Sequence, residues 1–268
     1  MEKTKTSVKL VECAILIAMA FVLSFIKIID MPFGGSVTAA SMAPIIVAGY
    51  RHGLKWGIVT GFAYSLLQLL MGLSNLSYAT SAMAGIAIVM LDYIGAFTVL
   101  GLLGIFKRNR HQTGVLVTGT VVVCVIRLIC HVIVGCTVWA GVSIPTVGGA
   151  IYSLVYNAAY MIPETVVTVY VIALISNAVD LKLDRPVTRK KSDNIMAVLN
   201  GVLIFGIAIV TDFLYLFQRI QSSDGFDITR ISGANWGIVS IITFAGAAVG
   251  IIVYIITKIF VKKKQNQK

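Results

Sequence analysis

The chain has 268 residues, 58% of them hydrophobic and 12% charged, with a formal net charge of +11 at pH 7. A soluble domain carries about 25% charged residues, so no water-soluble fold hides this much apolar surface. Nucleic-acid binding is excluded as the reason for the charge, because Lys and Arg sit in short clusters between long apolar runs rather than on one soluble face.

Apolar runs between basic or Pro/Gly-rich breaks predict helices over 8–29, 38–51, 54–72, 79–106, 114–138, 148–179, 195–218 and 234–260. The first run is too long for a signal-peptide core and has no small-residue cleavage site, so it is retained as a helix. The second lies between the Pro32-Phe33-Gly34-Gly35 break and Arg51 and contains Pro44. It is short of the roughly 20 residues that a full crossing needs. The expected fold class is therefore an all-α integral membrane protein. A polar stretch, Leu181 to Asn194, separates six helices from a final pair. The expected organisation is a six-helix membrane domain over 1–181, a basic cytoplasmic linker over 182–194, and an added two-helix transmembrane hairpin with a basic tail over 195–268.

Orientation follows from the loops. One side collects the basic residues near the N-terminus, at Arg51 and Lys55, at 107–110, at 182–191 and in the C-terminal tail, whereas the other holds only Lys27, Arg219 and Arg230. Basic residues are retained inside, so both termini are expected in the cytoplasm of a multi-pass protein. The cysteines Cys13, Cys124, Cys130 and Cys136 form no C-x-x-C pair and have no zinc-type His spacing. They read as small packing residues, and no metal is implied.

Ionisable residues inside spans are costly and point to function. They are Asp92 in the fourth span, Arg127 and His131 in the fifth and Glu164 in the sixth, with Asp212 nearer the end of the seventh and within reach of the interface. Arg127, His131 and Gly135 share one stripe of the fifth helix, with Trp139 about 80° from His131. An Arg127–Asp92 structural pair is the simplest expectation for the arginine, and ligand contact for His131. The sixth span places Tyr152, Tyr156 and Tyr160 four apart with Asn157 beside them. A buried Asn needs a partner or a cavity, whereas tyrosines alone also suit a membrane-interface belt. No catalytic elbow, H-E-x-x-H run or phosphate-cradling loop is present, so no enzyme activity is expected, and no nucleotide-binding domain supplies energy.

The motifs Gly34-Gly35-Ser36-Val37, Met42-Ala43-Pro44-Ile45, Leu91-Asp92-Tyr93, Arg127-x-x-x-His131 with Trp139, and Tyr152-Ser153-Leu154-Val155-Tyr156-Asn157 occur in this order. Together they resemble the thiamine-specific S components of energy-coupling factor (ECF) transporters, over about residues 8–180. The resemblance implies a thiamine-binding subunit without cofactors. It would dock on a transmembrane T component and two ATPases, and only those partners would use ATP. It implies localisation in the bacterial plasma membrane. It also implies substrate contacts at Asp92, Tyr93, His131, Trp139, Tyr152 and Asn157, and docking through Ala14 and Ala18 on the first helix, a small-xxx-small pair. Phe33 stands where the family often has a loop Trp, and Asp92 is one methylene shorter than the Glu of some relatives. An aminopyrimidine suits a carboxylate and an amide, and a thiazolium suits aromatic faces.

Other readings remain open on the residues alone. They are a secondary transporter with an Asp92–Arg127–Glu164 ion relay, an S component for another vitamin, and a membrane-embedded enzyme or scaffold.

Overall fold

A computed structural model of the chain describes residues 6–31, 34–79, 81–106, 111–136, 147–183, 185–189, 193–222, 225–226 and 228–266. The chain is an all-α integral membrane protein that divides into two compact units, Met1–Thr188 and Arg189–Lys268.

The first unit begins with α1 (Thr6–Phe25), then an antiparallel hairpin of β1 (Lys27–Asp30) and β2 (Ser36–Thr38). There follow α2 (Ala43–His52), α3 (Leu54–Met71), α4 (Ala82–Ile105), α5 (Gln112–Val134) and α6 (Val147–Ala178). The second unit holds α7 (Asp193–Ile220) and α8 (Trp236–Asn266). Among the described residues, every one of these helices except α2 is long and apolar enough to cross a membrane.

The expectation of a first helix running to residue 29 is corrected. The helix stops at Phe25, and Lys27–Asp30 pairs with Ser36–Thr38 instead. The physical reason is local: Ile26, Ile28 and Ile29 are β-branched and favour extended backbone, and Pro32 follows. Lys27 Nζ also meets Asp30 Oδ1 at 3.0 Å across the short strand. This hairpin covers one end of the helical unit, so the change bears on the site.

At ten residues, α2 rises about 15 Å and spans about half of a bilayer core. It is apolar on every side, and each residue from Ala43 to Arg51 is buried, as expected of a helix surrounded by others. Met42, Ile45, Ile46 and Tyr50 join Tyr64, Leu100, Leu103, Leu116 and Ile172 in the core. Close approach of α2, α3 and α4 depends on glycine, because a methyl group on Gly57 or Gly101 would overlap the other's backbone. Such contact between small residues replaces the hydrophobic driving force that lipid removes.

At the end of the unit away from the hairpin, polar groups tie chain segments together. Arg51 Nε lies 2.6 Å from Glu12 Oε1, and Arg51 Nη1 donates to the carbonyls of Leu181 and Leu183 at 3.1 and 3.2 Å. Gln112 Nε2 donates to the carbonyls of Ser176 and Val179, and its Oε1 accepts from Leu181 N at 3.0 Å. The second unit is a helical hairpin in which Gly201 and Gly250 face each other closely. Asp212 does not reach for the interface, since it accepts a hydrogen bond from Thr243 on α8. Cys13, Cys124, Cys130 and Cys136 are all free thiols, and all but Cys130 are buried.

Candidate functional site

The fourth helix is not uniform. Its segment Ile88–Gly95 is a π-helix, a widened form that arises as an insertion in an α-helix and recurs at functional sites. Asp92 and Tyr93 lie in this segment. The rest of the site comes from the hairpin, from the last turns of α1 and α3, and from the facing sides of α5 and α6.

These elements enclose a cavity of about 320 Å³, lined by residues that include Asp92, Tyr93, Phe97, Arg127, His131, Asn157 and Glu164. That volume is at the small end of small-molecule sites. Its mouth lies beneath the hairpin, near Lys27, Gly34, Ser36 and Asn75, at the end opposite the Arg51–Gln112 cluster.

A polar chain runs along one wall. His131 Nδ1 is 2.8 Å from Asp92 Oδ1, and Arg127 Nε donates to His131 Nε2 at 3.2 Å. A guanidinium only donates. His131 Nε2 is therefore the acceptor, and its Nδ1 carries the proton that it donates to Asp92. The guanidinium carbon of Arg127 also sits 4.2 Å from the centre of the Phe97 ring, a cation–π distance. The expected Arg127–Asp92 pair is replaced: among the described residues, the acid bonds the imidazole, and the arginine reaches it only through His131.

The other carboxyl group holds the hairpin. Glu164, buried in the middle of α6, accepts from Thr38 N through Oε2 and from Thr38 Oγ1 through Oε1 at 2.7 Å. Thr38 Oγ1 in turn accepts from Ser41 N at 3.2 Å. Just before β2, Gly35 N donates to Tyr156 Oη at 3.2 Å. A side chain at Gly35 would press into the Tyr160 ring, so the hairpin closes over the tyrosines only because this position is glycine. Gly34, at φ +93°, provides the reversal of the chain.

Of the expected site residues, Asp92, Tyr93, His131 and Asn157 line the one cavity. The Tyr93 hydroxyl accepts from Asn75 Nδ2 at 2.8 Å and donates to the Gly72 carbonyl at 3.1 Å. The Asn157 amide is largely occupied within the bundle. Its Nδ2 donates to the Ser153 carbonyl at 2.8 Å, and its Oδ1 accepts from Tyr160 Oη at 2.7 Å. Tyr152 lies outside the lining, being five residues and about 140° from Asn157 around the helix. Its ring stacks parallel to that of Tyr156, with centroids 6.4 Å apart. Phe33 and Trp139 lie outside the described residues. Ala14 and Ala18 are exposed on α1 rather than packed inside the unit.

The sequence pattern did not place Thr38, Gln68 or Asn75 at the site; it raised Tyr156 and Tyr160 only within the choice between a pocket and an interface belt, and Arg127 and Glu164 only as a structural pair partner or as members of the alternative ion relay. Gln68 carried a usable signal, since it is an amide within the apolar run Leu66-Leu67-Gln68-Leu69-Leu70.

Comparison with known proteins finds relatives of the first unit. A family model described as "Thiamine transporter protein" matches residues 10–183. The thiamine transporter ThiT of Bacillus subtilis is 33% identical over 187 residues, covering 65% of this chain and 93% of that protein. The ThiT of Lacticaseibacillus paracasei is 25% identical over 189 residues, covering 65% and 90% respectively. The matched region coincides with the unit that holds the cavity.

Proposed function

Because the chain belongs to the thiamine transporter protein family, we propose that it is the thiamine-binding S component of an ECF-type vitamin importer. The observation that carries this reading is the Asp92–His131–Arg127 chain facing an aromatic-walled cavity of about 320 Å³. Thiamine is a small cation made of two flat rings. Two carboxyl groups, Asp92 and Glu164, stand against one guanidinium at the cavity, while His131 is held as a neutral donor. That balance favours a single positive charge. The phenol rings of Tyr93, Tyr156 and Tyr160 and the Phe97 ring give faces on which a thiazolium gains cation–π energy.

Asp92, Tyr93, His131 and Asn157 are assigned to substrate binding, with Tyr152 holding Tyr156 in place, and the family resemblance extends the assignment to Trp139 and Phe33. The protein sits in the bacterial plasma membrane with both termini in the cytoplasm. The clustering of Lys and Arg supports that orientation, which puts the hairpin and cavity mouth outside. As the family resemblance implies, a T component and two ATPases supply the energy, and the exposed Ala14 and Ala18 on α1 provide a close-approach surface for the T component. Transport rather than catalysis is its role.

Titration of the purified protein with thiamine, riboflavin and biotin, followed by intrinsic tryptophan fluorescence, tests the reading. Saturable binding of thiamine alone is expected. Tight binding of riboflavin, which is neutral, or of biotin, which is an anion, in its place would refute it.

A further inference from the structure

The polar groups of the cavity are nearly all engaged by the protein itself. Asn157 is bonded to Ser153 and Tyr160, Asn75 to Tyr93, Thr38 to Glu164, and Tyr156 to Gly35. Gln68 differs. It lines the same cavity from α3, and its Nε2 is buried with no hydrogen-bond partner among the described residues. An unpaired amide among lipid-facing helices is costly and is retained where it faces a ligand or a partner.

Its place in the fold defines what it would meet. Gln68 precedes Gly72 by one turn of α3, and the Gly72 carbonyl accepts the Tyr93 hydroxyl. The amide thus lines the cavity one turn before the Gly72 contact with Tyr93, on the wall supplied by α3, whereas His131 and Asn157 come from α5 and α6. A terminal amide offers one acceptor and one donor side by side, and rotation by 180° exchanges them. A ring nitrogen next to an exocyclic amine presents the complementary pair, the arrangement by which Gln and Asn recognise adenine.

Resting on the thiamine-binding reading, we propose that the Gln68 carboxamide reads the aminopyrimidine edge of the substrate, as the specificity-determining amide of this site. Sequence motifs assign that part to Asn157. Its bonds to Ser153 and Tyr160 within α6, and to the His131 carbonyl of α5 at 3.4 Å, occupy it within the bundle, and Gln68 is the amide whose Nε2 has no partner among the described residues.

The test uses the full-length protein, the near-isosteric variants Gln68→Leu and Gln68→Met, and two ligands: thiamine and its analogue lacking the 4-amino group. Either variant is expected to weaken thiamine about tenfold or more while weakening the deamino analogue about twofold or less, because the analogue has already lost the contact. The ligand-free melting temperature is expected to hold or rise, since an unsatisfied amide is removed. Equal losses for the two ligands, or no loss for thiamine in either variant, would overturn the assignment of Gln68. A wild-type protein that does not bind thiamine at all would instead overturn the proposed function.

Discussion

Replacing Thr38 by Val keeps the shape and β-branching of the strand residue but deletes the hydroxyl on which the hairpin is fastened. Three contacts of the hydroxyl disappear together: the bond from Thr38 Oγ1 to Glu164 Oε1 at 2.7 Å, the contact with Ser41 Oγ at 2.8 Å, and the bond that Oγ1 accepts from Ser41 N at 3.2 Å; the first and last carry most of the cost. A bond to a charged acceptor contributes about 1.5–3 kcal/mol, and an orphaned buried N–H costs about 1–3 kcal/mol. The Thr38 N bond to Glu164 Oε2 is retained, and residual water softens both losses, so about 2–3 kcal/mol is a sound figure for the sum. For a protein of this size that lowers the melting temperature by about 4–10 °C, measured in detergent without ligand. The partner variant Glu164→Gln removes the charge and sets an amide N–H where an acceptor is needed. Once Glu164 is altered, loss of the hydroxyl should matter less, giving a coupling of about 1 kcal/mol or more in a double-mutant cycle. The same Thr38→Val protein should release thiamine faster, since the strand over the cavity mouth is anchored there. Additive destabilisation by the two changes, with an unaltered dissociation rate, would show that Thr38 and Glu164 do not clamp the hairpin.

The Asp92→Asn change keeps an oxygen for His131 Nδ1 but removes the negative charge, and should weaken thiamine about 10–100-fold, equivalent to about 1.4–2.8 kcal/mol. A thiamine analogue with an uncharged ring in place of the thiazolium should lose less in the same titration, and equal losses would remove the electrostatic explanation. Gly101→Val forces a branched side chain into the Gly57 backbone. Overpacking of this kind costs about 1–3 kcal/mol or more, so the variant should elute as aggregate on size-exclusion chromatography, whereas an exposed α1 change such as Ile15→Val should not. A chain ending at Thr188 contains the whole cavity and should keep its thiamine affinity within about twofold. A large loss would assign the second unit a part in binding.

Legibility of the chain from sequence followed the strength of each physical constraint. Lipid imposes length and apolarity, so the long spans, the shortness of α2 and the separation of the last two helices all stood out as runs and breaks. The hairpin did not, because Ile26, Ile28 and Ile29 extend an apolar run without interruption, and the choice of strand over helix is made by tertiary pairing with Ser36–Thr38. Intramembrane charges flagged Asp92, Arg127, His131 and Glu164, since each is too costly to keep without purpose. Their pairing was not legible. Arg127 and His131 are one helical turn apart, and the π-helical widening that brings Asp92 to the imidazole leaves no mark in periodicity. Thr38 is an ordinary polar residue in sequence, and its role comes from contact with Glu164, far along the chain, whereas Gln68 stood out only as an amide in an apolar run, with no sign of what it faces.

The direction of the hydrogen bonds makes the site more specific than its composition. Arg127 cannot accept a hydrogen bond or give up its charge under physiological conditions. His131 must therefore present Nε2 as acceptor to Arg127 and Nδ1–H as donor to Asp92, and it has no second way to satisfy both neighbours while neutral. Protonating the imidazole would put a cation beside the guanidinium and leave Arg127 Nε facing an N–H, so the arrangement opposes a proton relay through His131. What remains for a ligand is the carboxylate at the end of the chain, which wants a donor or a positive charge, together with the phenol and phenyl faces opposite. A site ordered in this way suits the binding and orientation of a cation. Substituting Arg127→Gln, which can donate or accept, frees His131 to choose its tautomer, and should weaken thiamine binding at neutral pH even though Arg127 repels the cation. A gain in affinity would mean that charge, rather than the ordered chain of donors, governs the site.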